Sequence, residues 1–180
     1  MAHHLVRRTM TIRLLFRCAL RFSACLWPLG MCSPAAATVS VGKTADLLYG
    51  AFFAGSTSGT VVIAPGGGRS KTGGVLLFDH SSAGVPAASA AAFSVSGGPP
   101  NGVCTITLPA ESTITSAGGG SLVVSMPVSS TGPGPTPSVM LNAAGAAIFT
   151  VGATLSVPAI QSGGHYGTGY FNVAVTCPNP

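Results

Sequence analysis

Acidic side chains are nearly missing from this chain, which has three of them among 180 residues against eight lysines and arginines. The three carboxylates, Asp46, Asp79 and Glu111, are widely separated in the sequence. Calcium takes about 6–8 oxygen ligands, usually including clustered carboxylates, and three scattered acids cannot supply them. The composition therefore excludes a carboxylate-rich cation site and leaves few acids for catalysis.

Histidine is also scarce, because the chain has four, and only His80 and His165 lie beyond residue 37, where the leader predicted below ends. A Ser-His-Asp triad would need one of them to converge with a serine and an acid, and no motif positions them. Asp79 and His80 are adjacent, so their side chains would point to opposite faces of a strand. Zinc would have to combine both histidines with Cys104 and Cys177, an unfavourable set in an oxidising compartment. We expect no catalytic residue, no metal ligand, no cofactor and no enzymatic activity.

Two glycine-containing segments resemble functional loops but lack the residues that the chemistry needs. Segment 66–72 (GGGRSKT) follows Pro65 and contains Ser70, and a phosphate-binding P-loop requires glycine at both of these places. Segment 55–59 (GSTSG) has Thr57 where a nucleophile elbow has its serine. We interpret the first segment as a glycine hairpin or loop with two solvated cations, and neither segment as a site.

Long hydrophobic runs are missing as well. The longest, residues 22–32, covers 11 residues, whereas a membrane-spanning helix needs about 20. Five arginines precede this run and the small residues 33–37 follow it, ending in an A-x-A site typical of a secretory signal peptide. We predict that residues 1–37 are a signal peptide cleaved between Ala37 and Thr38. The protein is then exported to the periplasm, the cell surface or the medium, without a membrane span.

Two alternatives concern this leader. Met10 opens a leader of more ordinary length, so translation starting at Met10 is an alternative to Met1. Cys32 follows a stretch that resembles a lipoprotein motif, but Met31 stands where that motif has glycine or alanine. We therefore disfavour lipidation of Cys32.

The excess of basic residues belongs mainly to the leader, which holds five of the eight. In the predicted mature chain, residues 38–180, the three cations Lys43, Arg69 and Lys71 are balanced by the three acids. The mature net charge is therefore near zero. Because nucleic-acid binding depends on a basic patch that neutralises phosphates, we expect no nucleic-acid partner.

Short apolar runs separated by glycine and proline dominate the mature chain. Several alternate, such as 103–108 (VCTITL) and 171–175 (FNVAV), as expected for strands with one buried face. No window has the pattern of a capped amphipathic helix. The runs cover residues 47–53, 60–64, 75–78, 91–95, 103–108, 121–126, 147–151, 154–157 and 170–177. The pattern predicts a single all-β domain over 38–180, an antiparallel, immunoglobulin-like β-sandwich of eight or nine short strands, with a closed barrel as the alternative.

Six segments occur in the order and spacing found in the DUF4402 family. They are 50–52 (GAF), 65–75 (PGGGRSKTGGV), 92–97 (AFSVSG), 106–109 (ITLP), 151–155 (VGATL) and 164–170 (GHYGTGY). Over residues 43–177 the chain thus resembles this group of secreted bacterial β-sandwich proteins, which is itself similar to spore-coat-U-type and fimbrial subunits. The resemblance implies a Gram-negative periplasm or cell surface, identical or related subunits as partners, export with a periplasmic chaperone and usher, and no catalytic residues.

Two cysteines remain after the leader, Cys104 and Cys177, each in phase with the apolar face of an alternating strand. Two inward-facing thiols in an exported sandwich are expected to form a disulfide. For a closed loop of about 70 residues, the chain-entropy estimate of its stabilisation is about 4 kcal/mol. The alternative is a pair of buried reduced thiols. The pair departs from the commoner DUF4402 pattern, so it bears on stability rather than on a shared function.

The N-terminal segment of the mature chain, residues 38–47, also alternates, as a strand donated to another subunit would require. Lys43 interrupts its apolar face, and the chain ends in CPNP without the terminal aromatic residue of a typical pilin. We therefore favour the segment as the first strand of the protein's own sheet.

These features predict an exported structural or adhesive subunit of a surface appendage, coat or matrix, without catalytic activity. The alternative is an exported monomeric module that binds a glycan or small ligand through loops at one end of the sandwich.

Overall fold

The structure is a computed structural model that describes residues 38–78 and 86–178. The predicted signal peptide, including Ala37, lies outside the described residues, and Thr38 is the first residue described. The strands within the described ranges are β1 (Ser40–Ala45), β2 (Phe52–Phe53), β3 (Gly59–Ile63), β4 (Arg69–Gly73), β5 (Leu76–Leu77), β6 (Ala91–Ser96), β7 (Val103–Thr107), β8 (Glu111–Ser116), β9 (Ser121–Ser129), β10 (Ser138–Met140), β11 (Ala147–Val157), β12 (Tyr166–Thr168) and β13 (Ala174–Thr176).

The long strand β11 organises the large sheet. Its first half, residues 147–151, pairs with β6, and its second half, residues 153–157, pairs with β3. Strand β9 pairs with β11 over residues 151–156. The large sheet has the order β1-β6-β11-β9-β8-β12, and β3 adds the hairpin β3-β4 to β11. All of these pairs are antiparallel, as predicted.

The change of partner along β11 occurs at Gly152. A Cβ atom at this position would collide with the carbonyl oxygen of Ile63 and lie 2.7 Å from the carbonyl carbon of Ala64. Both obstacles are backbone atoms, which cannot rotate away as a side chain can. Glycine therefore lets the end of β3 approach β11 closely enough to begin a second ladder.

The first core lies under the three-stranded sheet β10-β7-β13. It is formed by side chains of β6, β7, β10 and the first half of β11, and its largest members, Phe93 and Phe149, stack with ring centroids 5.4 Å apart. The alternation predicted for β7 is observed, because Cys104, Ile106 and Leu108 all point into this core.

The second core lies under the two-stranded sheet β2-β5. It combines β3, β9 and the second half of β11, where Val61, Ile63 and Leu155 are almost completely buried. Phe52 and Leu77, one from each strand of the small sheet, pack against it. The body is therefore a large sheet whose two halves are covered by separate smaller sheets.

The predicted all-β class is confirmed, and the described residues contain no helix. The predicted strand number was too low, because thirteen strands are present in the described ranges. The runs 147–151 and 154–157 belong to one strand, since Gly152 continues β11 instead of ending it. None of the described segments forms a helix long and apolar enough to span a membrane.

Candidate interaction surfaces

Cys104 and Cys177 face each other across two neighbouring antiparallel strands. β13 pairs with β7 through Thr176 and Thr105, so the next pair in register is Cys177 with Cys104. Their Cα atoms are 4.2 Å apart and their sulfur atoms are 1.93 Å apart, which is disulfide distance. Because Cys104 is completely buried in the first core, this pair fastens the last strand over that core.

The residues weighed for catalysis and metal binding do not gather in one place. Asp79 and His80 lie outside the described residues. His165, Asp46 and Glu111 are exposed. Within residues 38–78 and 86–178, no group of three or more His, Cys, Asp or Glu side chains could hold a metal ion.

The glycine-rich segment forms the turn of the β3-β4 hairpin. The N–H of Gly67, which has φ +83°, donates to the carbonyl of Ala64, and the N–H of Ala64 donates to the carbonyl of Gly68, both at 2.8 Å. The expectation of two solvated cations was half wrong, because Lys71 is exposed but Arg69 is half-buried. The sequence does not show that Arg69 is more buried than Lys71, because both lie on β4, which has no large apolar residue.

Residues 40–45 form β1, which pairs with β6 of the same chain at the edge of the large sheet. This is the interpretation that the sequence favoured. Val39 and Val41 pack against the first core. Lys43 is exposed and forms an ion pair with Asp46, and the register shifts directly after Lys43. A charge and a bulge on an edge strand oppose the addition of another strand.

Three large apolar side chains form an exposed cluster on the outer face of the two-stranded sheet. We call Phe53, Leu76 and Phe78 the aromatic patch. Phe53 is directly opposite Leu76 across the two strands, and its ring meets that of Phe78 edge-on with centroids 4.7 Å apart. The exposed fractions are 62% for Phe53, 54% for Leu76 and 43% for Phe78. A contiguous exposed apolar cluster of this kind is typical of an interaction surface.

Arg69 holds the backbone beneath the aromatic patch. Its guanidinium donates hydrogen bonds to the carbonyl oxygen of Phe78, at 3.1 Å, and to that of Ala51. Gly50, with φ +67°, makes room for this side chain, because an added Cβ would lie 3.2 Å from a guanidinium nitrogen. The N–H of Phe78 also donates to the carbonyl of Ala51 at 3.1 Å. The patch is therefore presented on a fixed backbone rather than on a free loop.

A shallow concavity of about 720 Å³ lies between β10 and the start of β11. We call it the groove. Its most exposed apolar side chains are Met140, at 67%, and Ile148, at 76%. None of the described residues that line it is charged or aromatic. Polar side chains on its lining come from Asn101, Thr131, Ser138 and Asn142.

Both strands beside the groove have an edge that no described strand covers. β10 pairs with β7 alone. The ladder between β9 and β11 ends at Ser129 and Val151, and hydrogen bonds between Ser130 and Thr150 are the next contact beyond it. The start of β11 therefore borders the groove without a strand neighbour on that side.

Sequence reasoning missed both surfaces, although the sequence contains a signal for them. Adjacent residues on a strand point to opposite faces, so a pair of large apolar neighbours must direct one side chain outward unless both faces are covered. Phe52-Phe53, Leu76-Leu77 and Ile148-Phe149 are such pairs. In each pair one member packs into a core, and Phe53, Leu76 and Ile148 are exposed.

The family described as "Domain of unknown function (DUF4402)" matches residues 39–176, a range that contains all thirteen described strands. No curated protein and no solved structure matches the chain.

Proposed function

The chain belongs to the DUF4402 family, and from this premise we propose that it is an exported structural or adhesive subunit of a bacterial surface appendage, coat or matrix, without catalytic activity. The observation that carries the proposal is the aromatic patch, an exposed cluster of three large apolar side chains on a body of packed sheets. Apolar side chains that form one contiguous exposed cluster mark interaction surfaces more often than singly scattered ones do.

The charge distribution supports partners that are identical or related subunits. Three cations and three acids balance over residues 38–180, so copies of the mature chain have no net charge to keep them apart. A protein with net charge near zero associates more readily than a highly charged one. Net electrostatic repulsion between copies therefore opposes self-association only weakly.

The structure favours surface contact over strand donation for this assembly. β1 already occupies the edge of β6 in its own chain, and Val39 and Val41 contribute to the first core. We expect deletion of residues 38–46 to destabilise the body by exposing that edge and part of the core. Circular dichroism and size-exclusion chromatography of the truncated chain measure this. A folded body that no longer assembles would instead indicate strand donation.

Export with a periplasmic chaperone and usher remains part of the proposal. Genes for both proteins beside this gene would support that route. The absence of a requirement for either, tested by expression in a strain that lacks them, would remove them as partners without changing the proposed subunit role.

The proposed function is tested on whole cells that produce the full chain with its own leader. We expect the protein to begin at Thr38, to be accessible to added protease on intact cells, and to form multimers after formaldehyde cross-linking. A soluble monomer that stays in the periplasm under all growth conditions would contradict the proposal.

A second candidate function, an exported glycan-binding or small-ligand-binding module, is favoured by the groove. The groove offers polar side chains for hydrogen bonds to a ligand, from Asn101, Thr131, Ser138 and Asn142. Ligand sites are usually rich in aromatic side chains, however, and the described lining contains none. We therefore place this candidate second. Saturable binding of a soluble oligosaccharide to a monomeric protein, lost in Ile148→Ser, would promote it.

A further inference from the structure

Strand β13 is held less firmly than the other strands that cover the first core. It lies at the edge of its sheet, and among the described strands it pairs with β7 alone, through three residue pairs. We call residues 171–177 the β13 segment. Its half-buried members pack against the first core and alternate with exposed residues; they are Phe171, Val173, Val175 and Cys177. A segment with few hydrogen bonds and incomplete burial is one that opens locally while the rest of a protein stays folded.

The two cysteines differ in how easily they are reached. Cys104 is completely buried and lies on β7, the middle strand of the sheet, between β10 and β13. Cys177 is half-buried and directly follows the last residue of the edge strand. Fraying of that strand end is enough to bring the Cys177 sulfur to solvent, whereas the Cys104 sulfur is reached only when the whole β13 segment leaves the first core.

We propose that Cys177 is the site of thiol–disulfide exchange through which an external disulfide oxidises the pair, and that this oxidation holds the β13 segment on the first core. In the cell the reaction needs a compartment that supplies disulfides, so there it rests on the proposed export. It adds a reaction and a conformational consequence that the proposed subunit function does not contain.

The exchange proceeds in two steps. The Cys177 thiolate attacks one sulfur of the external disulfide, so that a mixed disulfide forms and one thiolate leaves. Return of β13 to its register then places Cys177 opposite Cys104, because they are the next pair after Thr176 and Thr105. The Cys104 thiolate attacks the Cys177 sulfur and expels the second thiolate. The pair loses two electrons and two protons, and the external disulfide is reduced to two thiols.

Reduction has the opposite consequence for the β13 segment. Without the bond, the segment is held by its three residue pairs with β7 and by its half-buried side chains. One of these contacts is the edge-on approach of the Phe171 ring to Phe93, with centroids 6.1 Å apart. The second core has no part in this contact, since it is formed by other strands. We therefore expect reduction to free the β13 segment before the rest of the body unfolds.

The first test identifies the cysteine that reacts. Purified exported protein is reduced, exposed briefly to glutathione disulfide under native conditions and quenched with acid, and the mixed disulfide is located by peptide mass. We expect glutathione on Cys177 in Cys104→Ala, and a reaction at Cys104 in Cys177→Ala that is at least about tenfold slower. If either variant lacks a native circular dichroism spectrum, a brief pulse of N-ethylmaleimide on reduced wild type replaces it and should label Cys177 before Cys104.

The second test asks whether release of the segment limits the reaction. In the reduced protein, Val175→Ala should accelerate labelling of Cys177, because it removes contacts with the first core. Val123→Ala is the matched control, since Val123 is 41% exposed on another strand, and it should leave the rate unchanged. Hydrogen exchange of wild type should accelerate in residues 171–177 on reduction and remain slow in β3.

Three outcomes would overturn the proposal: equal labelling of both cysteines in folded reduced wild type, hydrogen exchange in residues 171–177 that does not change on reduction, or equal acceleration throughout the body. Each of them leaves the subunit function standing, because none depends on assembly. A soluble monomer in the periplasm that shows the expected labelling would instead contradict the subunit function and support the exchange at Cys177.

Discussion

The two halves of the body hold their covering sheets by different means. Over the first core, β13 is fastened to β7 by the pair Cys104–Cys177 at disulfide distance. Over the second core, the four residues of β2 and β5 are held by hydrogen bonds from Arg69 to the carbonyls of Ala51 and Phe78. The first contact is a cysteine pair inside one covering sheet, and the second is a set of hydrogen bonds that reach the backbone beside the exposed patch.

The two halves therefore differ in their roles: the first contributes stability, and the second carries an exposed apolar surface. The first core contains the stacked rings Phe93 and Phe149, and a cysteine pair at disulfide distance joins two strands of the sheet that covers it. The second core contains a buried hydroxyl, that of Tyr49, for which the described residues supply no hydrogen-bond partner. We infer that the first half contributes more to the free energy of unfolding, whereas the second half keeps an apolar surface available for contact.

The largest expected effect is on the first half, through the cysteines. Cys104→Ala/Cys177→Ala should lower the free energy of unfolding by about 4 kcal/mol, because the cross-link no longer restricts an unfolded loop of this length. Urea unfolding followed by circular dichroism measures the loss. Thiol titration of unfolded, unreduced wild type should detect no free thiol among these two residues, and two free thiols would contradict the pairing.

The next effect is at the junction of the two halves. Gly152→Ala should lower the free energy of unfolding by about 3 kcal/mol, near the upper end for overpacking, because the new methyl group meets backbone atoms of Ile63 and Ala64. Gly118→Ala is the matched control, since the nearest atom to an added Cβ there is 3.9 Å away. Equal stability of the two variants would show that the close approach at Gly152 is not required.

A smaller and more local effect is expected from the second fastening. Arg69→Lys keeps the positive charge but cannot bridge two carbonyls with a planar guanidinium, so it should cost about 2 kcal/mol, in the range for charged hydrogen bonds. Hydrogen exchange should accelerate in residues 51–53 and 76–78 and remain slow in β7. Lys71→Arg, at an exposed site on the same strand, is the control. Uniform acceleration throughout the body would contradict a local role.

The smallest effect is expected at Tyr49 and has the opposite sign at neutral pH. Tyr49→Phe removes the buried hydroxyl without a described partner, so it should raise the free energy of unfolding by about 1 kcal/mol. Thermal unfolding of both proteins measures the change. A destabilised variant would indicate that the hydroxyl has a partner in the folded protein.

The pH dependence of Tyr49 provides a second comparison. Burial raises the pKa of this hydroxyl above its ordinary value, so the folded state keeps it neutral while the unfolded state ionises at about pH 10. Ionisation of Tyr49 therefore leaves the free energy of unfolding unchanged below about pH 10 and lowers it as pH rises further. Above pH 10 wild type should lose stability faster than Tyr49→Phe, and parallel losses would contradict the burial.

The strands that could be predicted are those whose side chains alternate between a core and solvent. β3, β6 and β7 lie largely within predicted runs because β-branched and apolar residues recur there between turns. β8 was missed because serine and threonine surround its one large apolar residue, Ile114. β10 was missed because three residues are too few to show a period. Their pairing depends on neighbours that are distant in the sequence.

The candidate surfaces depended even more on tertiary structure. The pair Phe52-Phe53 shows that one ring faces outward, but only the placement of β2 over the second core determines which one. Arg69 was expected in solvent because its two carbonyl partners, Ala51 and Phe78, are distant from it in the sequence. The groove likewise lies between β10 and the start of β11, and no local sequence pattern predicts that these two strands are neighbours.

The central claim is that copies of this chain meet through the aromatic patch, and the mass of the released protein tests it most directly. The patch variant Phe53→Ser/Phe78→Ser is purified beside wild type and beside Tyr170→Ser, which removes an exposed aromatic side chain outside the patch. The account predicts that wild type and Tyr170→Ser form multimers as concentration rises, and that the patch variant keeps a native circular dichroism spectrum and remains a monomer. A folded patch variant that assembles as wild type does would contradict it.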